Sequence, residues 1–191
     1  MNIGFIGFGE AAYQIAAGLY SEGVRGICAH DSLQEDAVTG RVIRSRAKEA
    51  HVTLKASSIE IAQWADVIFA AVPFTHTLEV CQEIKGCLRK GKLFVDLSPS
   101  TADFKEVVWK TIKATNVYFV NAALTGSKMT WKHPISMTAS GNGAQLFKDI
   151  MTPYHMDITL AGKKPGAASA IYEDQESAQW DQVPAIALSA D

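Results

Sequence analysis

Cysteine is scarce. There are three in 191 residues, Cys28, Cys81 and Cys87, with no C-x-x-C pair and no metal-ligand spacing to the five histidines. This argues against a disulfide scaffold or a metal module. Cys28 in a predicted strand and Cys81 on an apolar helix face read as small core residues, which fits a reducing, cytoplasmic setting. An excess of one charge is also missing. Eighteen Lys and Arg against 20 Asp and Glu leave a net charge of −2, so neither nucleic acid nor an anionic membrane surface is expected as a partner. The one basic concentration, Arg41, Arg44, Arg46 and Lys48, reads as a solvated helix face. Long apolar runs are absent too: the longest, residues 67–72, is far too short to span a bilayer. With a strand beginning at residue 2, no signal peptide is expected ahead of it. There are no internal repeats. Hydrophobic content of 48% with 20% charged residues is ordinary globular composition, enough for one sizeable core or one domain with an attachment.

What is there begins at once. Residues 1–12 read M-N-I-G-F-I-G-F-G-E-A-A. Ile3, Phe5 and Ile6 form a short apolar run suited to a buried parallel strand, and Gly7, Gly9 and Ala12 follow in G-x-G-x-x-A spacing ahead of a helical pattern. Gly7 permits the tight turn, Gly9 lets the backbone approach a pyrophosphate, and Ala12 lets helix and strand pack closely. The turn aims the first free N–H groups of the helix at the phosphates, where the helix dipole also favours negative charge. The strand–turn–helix context points to dinucleotide binding, with Phe8, Glu10 and Ala11 as the intervening residues of the cradle.

The rest of the chain alternates. A helix over residues 10–22 carries Ala12, Ile15, Ala16 and Leu19 on one stripe. A strand is expected over 24–30 with Asp31 at its end. Ser32 to Glu35 has capping-box spacing and is expected to open the second helix. A short strand follows over 51–54, then a helix capped at Ser57, then the apolar strand 67–72 closed by Pro73. A helix over 77–88, a strand over 92–97 and a helix lined by Phe104, Val107, Val108 and Ile112 come next, the last opened by a capping pattern at residues 100–103. Further strands are expected over 117–120, 134–139 and 155–160, with a short helix marked by Leu146, Phe147, Ile150 and Met151. Continuous apolar strands alternating with helices imply an α/β, doubly wound, mostly parallel sheet (Rossmann) covered on both faces. This sets out a dinucleotide-binding domain over residues 1–161. Residues 162–191 follow as the start of a helix and an irregular tail.

Asp31 lies about 20 residues beyond Gly9, where such a domain places the acid that accepts from an adenosine ribose; the alternative is a helix-initiating Asp ahead of Ser32. A carboxylate there repels a 2′-phosphate and tilts the cofactor toward NAD, while the nearby arginines keep NADP open. Ser98, in D-L-S at the end of the fifth strand, is placed to meet the nicotinamide or the substrate, or else is a turn hydroxyl. The expected cofactor contacts are thus Gly7, Phe8, Gly9, Glu10, Ala11, Ala12, Asp31, Ser32, Val72, Pro73 and Ser98. Thr125, Gly126 and Ser127 offer two hydroxyls and a flexible N–H that could cradle a carboxylate or phosphate.

The segments G-F-I-G-F-G-E, D-L-S, A-A-L-T-G-S and K-P-G-A-A-S-A-I, in that order over residues 1–171, resemble the β-hydroxyacid dehydrogenase superfamily of 6-phosphogluconate and 3-hydroxyisobutyrate dehydrogenases. The resemblance implies an NAD(P)-binding domain joined through a long helix to an all-helical domain, and oxidation of a small anionic hydroxy acid. It places Ser98 at the family's Ser or Asn near the nicotinamide, and Thr125, Gly126 and Ser127 at its substrate-anchoring S-G-G, with two of the three residues changed. The family's catalytic lysine falls at Tyr172 and its asparagine at Glu176, so no catalytic residue is identified. The expectation is a C-terminally truncated member that binds cofactor but turns over poorly. Self-association as a homodimer is a further expectation, because helix faces suited to the family's helical domain would be exposed.

Overall fold

The computed structural model describes residues 1–125 and 135–171. In chain order its elements are β1 (Ile3–Ile6), α1 (Glu10–Ser21), β2 (Ile27–His30), α2 (Thr39–Glu49), β3 (Thr53–Leu54), α3 (Ser58–Trp64), β4 (Val67–Ala70) and α4 (Phe74–Ile84). They continue with β5 (Leu93–Asp96), α5 (Ala102–Ile112), β6 (Tyr118–Leu124), β7 (Ile135–Ser140), α6 (Ala144–Met151) and β8 (Met156–Gly162). The strands make one sheet in the order β3-β2-β1-β4-β5-β6-β7-β8. β1 to β6 are parallel, β7 runs antiparallel to β6, and β8 is parallel to β7. The first six strands therefore have the doubly wound order of dinucleotide-binding domains, with the chain reversing its sweep between β1 and β4.

Side chains alternate across each strand, so the central strands feed two cores. Phe5, Phe69, Val95 and Val120 face α1, α2 and α6, where Ile15, Leu19, Ile43 and Phe147 meet them. Ile68, Phe94 and Phe119 face α3, α4 and α5, against Ile61, Ile84, Val108 and Ile112. β1, β4 and β5 are buried at every residue, which is why they read as unbroken apolar runs rather than alternating ones. Phe5 and Phe69 stack with ring centroids 5.0 Å apart, and Phe147 closes edge-on over Phe69 at 5.9 Å. Each such burial contributes roughly 1.5–3 kcal/mol. Cys28 and Cys81 sit in this core, and burial pushes both thiols up from 9.0 to about 12.

Three details differ from the sequence expectation. The box at Ser32 opens no helix: residues 32–38 form turns, and α2 starts only at Thr39. The Asp36 carboxylate accepts from the amides of Val38 and Thr39, at 2.9 and 2.8 Å, and so takes the capping role. Those two hydrogen bonds hold its carboxyl below the usual carboxylate range. The cap of α5 is Thr101, one residue later than expected, its hydroxyl accepting from the amide of Phe104 at 3.3 Å. On α5 itself Val107 is 46% exposed, whereas Lys105 is buried beside Val108 and Ile112. Ser57 caps α3 as expected, accepting from the amide of Glu60.

Candidate functional site

The turn between β1 and α1 is built from backbone. Gly7 has φ +84°, and a Cβ there would lie 2.5 Å from the carbonyl oxygen of Ala71, just past β4. Only glycine meets both demands. Phe8 anchors the turn instead of facing outward: its ring is fully buried, edge-on to Phe5, and its amide donates to Asp31 Oδ2 at 2.7 Å. Gly9 is the N-terminal cap of α1 and carries no side-chain cap hydrogen bond. A Cβ at Gly9 would meet nothing within 4 Å. The first turn of α1 thus presents backbone donors to open space, a ready anion site. Ala12 is fully buried against the sheet. Glu10 is drawn aside: its carboxylate pairs with Arg46 of α2 and accepts from Gln14 Nε2 at 2.7 Å, which ties up its negative charge.

Asp31, half-buried at the end of β2, is already engaged. Oδ2 accepts from Phe8 and Oδ1 from the amide of Leu33 at 2.9 Å. Its first duty is to tie the glycine turn to β2. Each carboxylate oxygen keeps a lone pair, so acceptance from a ribose hydroxyl stays chemically available. Ser32 is exposed on the loop beside it.

From the N-terminus of α1 a cavity of about 760 Å³ extends over the carboxyl ends of β4, β5 and β6. That is the size range of small-molecule sites, at the place where open parallel sheets bind ligands. Ala11, Val72, Pro73 and Ser98 of the expected contacts line it. Ala71, Leu97, Pro99, Ala122, Ala123 and Leu124 supply more apolar wall, and Ser100, Thr101, Asn121 and Ser169 the remaining polar groups. None of the described lining residues is ionisable. Ser100 Oγ is buried with no hydrogen-bond partner among the described residues, which leaves it free to meet a ligand.

Beneath Ser98 lies a buried ion pair that the sequence reading missed. Lys105 Nζ is 2.9 Å from Asp96 Oδ2, with the two side chains 1% and 0% exposed. The same ammonium donates to the carbonyl and, at 3.0 Å, to the hydroxyl of Ser98. Asp96 Oδ1 accepts from the Ser98 amide at 2.9 Å and from its hydroxyl at 2.6 Å. Burial lowers the lysine's proton affinity below its usual range, and the Asp96 carboxylate opposes that fall. A signal did exist, since Lys105 stands in the i, i+3, i+7 register of Val108 and Ile112.

The segment from Pro165 to Ser169 is fastened across the ends of β6 and β7. Ser140 Oγ donates to the carbonyl of Pro165 at 3.1 Å and accepts from the amide of Ala168 at 3.0 Å. Asn121 Nδ2 donates to Ser169 Oγ at 3.0 Å. A Cβ at Gly166 would fall 2.3 Å from the carbonyl oxygen of Ala102, so the segment also lies tight against the start of α5. Residues 167–171 then turn helical. Asn121 and Ser169 are therefore cavity residues that the sequence reading left out of the site. Thr125 is half-buried just beyond β6, its amide donating to the carbonyl of Ser136 at 2.9 Å, and it is not among the residues lining the cavity. Gly126, Ser127, Tyr172 and Glu176 lie outside the described residues.

The glycine turn fits a dinucleotide: uncapped helix donors, open space at Gly9 and an adjoining cavity are what a pyrophosphate and its attached ring require. A Rossmann NAD(P)-binding domain is the class these features define. The chain belongs to the family described as NADP oxidoreductase coenzyme F420-dependent, whose model matches residues 2–100, just over half of its length. Its fold is close to several solved structures. One, 28% identical, is a conserved protein of unknown function described as structurally similar to 3-hydroxyacid dehydrogenases; the TM-score is 0.78, over 93% of this chain and 64% of that one. A second is the Mycobacterium tuberculosis 3-hydroxyisobutyrate dehydrogenase with L-serine, 18% identical with a TM-score of 0.77, over 93% and 60%. A third is an imine reductase from Myxococcus stipitatus in complex with NADP+, 14% identical with a TM-score of 0.77, over 95% and 62%. The chain thus spans less than two thirds of the length of these structures. No curated protein matches it significantly. The superfamily resemblance seen in the sequence agrees with these neighbours, and the cofactor class is NAD or NADP. Among the described residues no helix is long and apolar enough to cross a membrane.

Proposed function

We propose that this chain is the cofactor-binding part of an oxidoreductase acting on a small hydroxy acid. The observation that carries the reading is the uncapped N-terminus of α1 opening onto the cavity at the strand ends. The nicotinamide, when bound, supplies the hydride acceptor or donor. The chain's own residues bind and orient. The α1 amides hold the pyrophosphate, Ala12 sets the helix close to the sheet, and Val72 and Pro73 flank the dinucleotide. Ser98 stands beside the ring. Asp31 accepts from the adenosine ribose and favours NAD, a preference aided by the engagement of Arg44 with the Gln34 carbonyl and of Arg46 with Glu10. By the superfamily resemblance the carboxylate of the substrate falls to Thr125, Gly126 and Ser127, the segment that follows the cavity-lining Leu124. The 3-hydroxyisobutyrate dehydrogenase with L-serine and the 3-hydroxyacid dehydrogenase likeness support the substrate class.

A second reading, a dinucleotide-binding module without turnover, is favoured by one feature: no ionisable side chain lines the described cavity. Hydride leaves an alcohol carbon only as the hydroxyl proton is taken up, and a positioned base contributes about 10²–10⁴ in rate. Seryl, threonyl and amide groups are poor bases, and at the family's lysine position stands Tyr172. Following nicotinamide absorbance with a panel including 3-hydroxyisobutyrate and 6-phosphogluconate separates the two. The expected outcome is cofactor binding with turnover at least about 10²-fold below that of a variant carrying Tyr172→Lys and a grafted helical domain. Full dehydrogenase turnover by the unaltered chain would remove the second reading, and absence of turnover in the grafted variant would remove the first.

A further inference from the structure

The hydroxyl of Ser98 is chemically polarised by what lies under it. Lys105 Nζ has three N–H groups and three oxygen neighbours, namely Asp96 Oδ2, the Ser98 carbonyl and Ser98 Oγ. Since an ammonium can only donate, Ser98 Oγ must accept from it. Its single proton is then committed to Asp96 Oδ1, 2.6 Å away. One lone pair is used and one remains, on a side chain 3% exposed whose open side is the cavity. We infer that Lys105 is a positioning residue that fixes Ser98 as an acceptor-only group, so that the cavity floor selects a ligand N–H donor, here the carboxamide of the nicotinamide ring. This rests on the dinucleotide reading above.

The alternative state, in which Ser98 turns its proton into the cavity, would break the 2.6 Å bond to Asp96 and set an O–H against an N–H where two donors meet. A buried carboxylate that loses one of its donors has a large desolvation penalty, so that rotamer is closed. Without Lys105 and the Asp96 acceptor, the hydroxyl rotates freely and serves donors and acceptors alike. The pair thus acts on which chemical groups the floor accepts, beyond any contribution to stability. The remaining polar lining agrees in kind, because none of it carries a charge that would override a single oriented hydroxyl.

The test compares affinities for NAD+ and NADP+ with those for their 3-acetylpyridine counterparts, in which a methyl ketone replaces the carboxamide and no N–H remains. Titrations use the full chain, Ser98→Ala, and the double variant Asp96→Leu with Lys105→Met, which removes both charges and the acceptor of the Ser98 proton together and leaves neither charge buried alone. The full chain should prefer the carboxamide by about threefold to tenfold, the worth of one neutral hydrogen bond. The preference should fall toward unity in both variants while the Kd for the acetylpyridine forms stays within about twofold. A purely structural role would weaken both ligands equally and leave the ratio unchanged, which would overturn the inference. Tight binding of both ligands with no preference in the full chain would overturn it while leaving the dinucleotide reading intact. Binding of neither would overturn both.

Discussion

The two walls of the cleft are made by different means. On the α1 side the working surface is backbone: Gly7, Gly9 and the first amides of a helix, held by Phe8 in the core and by Asp31 across to β2. On the α5 side it is side chain: Ser98, Ser100, Asn121 and Ser169 at the surface, with Asp96 and Lys105 beneath. A backbone wall offers donors to any anion of the right shape and tolerates change in what surrounds it. A side-chain wall offers oriented single groups and depends on a buried network. The first suits the invariant pyrophosphate, and the second suits the discrimination of what lies beyond it.

The difference can be broken at its largest point by Lys105→Met. Removing one partner of a buried pair leaves Asp96 uncompensated, and the expected loss is about 3–5 kcal/mol in denaturant unfolding. Adding Asp96→Asn to the same chain should recover part of it. A loss under about 1 kcal/mol in the single variant would show that the network is not held as described. On the backbone side Gly7→Ala should lose about 1–3 kcal/mol, since the new side chain is forced into positive φ against the Ala71 carbonyl. Unfolding that leaves the midpoint unchanged would mean the turn can relax and that glycine is dispensable there. The last effect is absent at neutral pH and is seen only in alkali. Cys28 and Cys81 have folded-state thiols raised to about 12 from 9.0. The stability they contribute is fully present below 9 and is lost as pH rises toward 12, because the unfolded chain gives up those protons first. Cys28→Ala with Cys81→Ala should therefore flatten the decline between those values, and an unchanged slope would place the thiols outside the closed core.

The same contrast explains what could be read from the sequence. The β1–turn–α1 unit lies within residues 3–21 and obeys local rules of glycine spacing and helical period, so its position and its capping geometry were legible. The apolar strands β4 and β5 were legible for the same reason. The polar wall joins residues far apart in sequence, Asn121 to Ser169 and Ser140 to Pro165, and no local pattern announces such pairs. Lys105 was hidden by its chemistry. A lysine counts as solvent-facing in any periodicity reading, so the pattern puts Val107 on the stripe that Lys105 in fact occupies, and Asp96 and Ser98 across the interface make that burial tolerable. The loop after Asp31 misled because Ser32 and Glu35 have capping spacing, while Asp36, next to the helix that forms, competes for the role with a charged acceptor.

The dinucleotide reading stands on a pyrophosphate seated on the α1 amides next to Gly9. Calorimetric titration of NAD+ and NADP+ into the parent chain and into Gly9→Val tests it most directly. The backbone at Gly9, with φ −75° and ψ −163°, is open to any residue, and its Cβ direction meets nothing within 4 Å, so the variant should fold with its melting temperature unchanged. The parent should bind at least one dinucleotide, NAD+ the more tightly, and gain about 2.7 kcal/mol of stability at a hundred times Kd. In Gly9→Val both the binding heat and that gain should vanish, because the branched side chain occupies the phosphate's place. Equal binding by a folded Gly9→Val, or binding of neither cofactor by the parent, would contradict the claim.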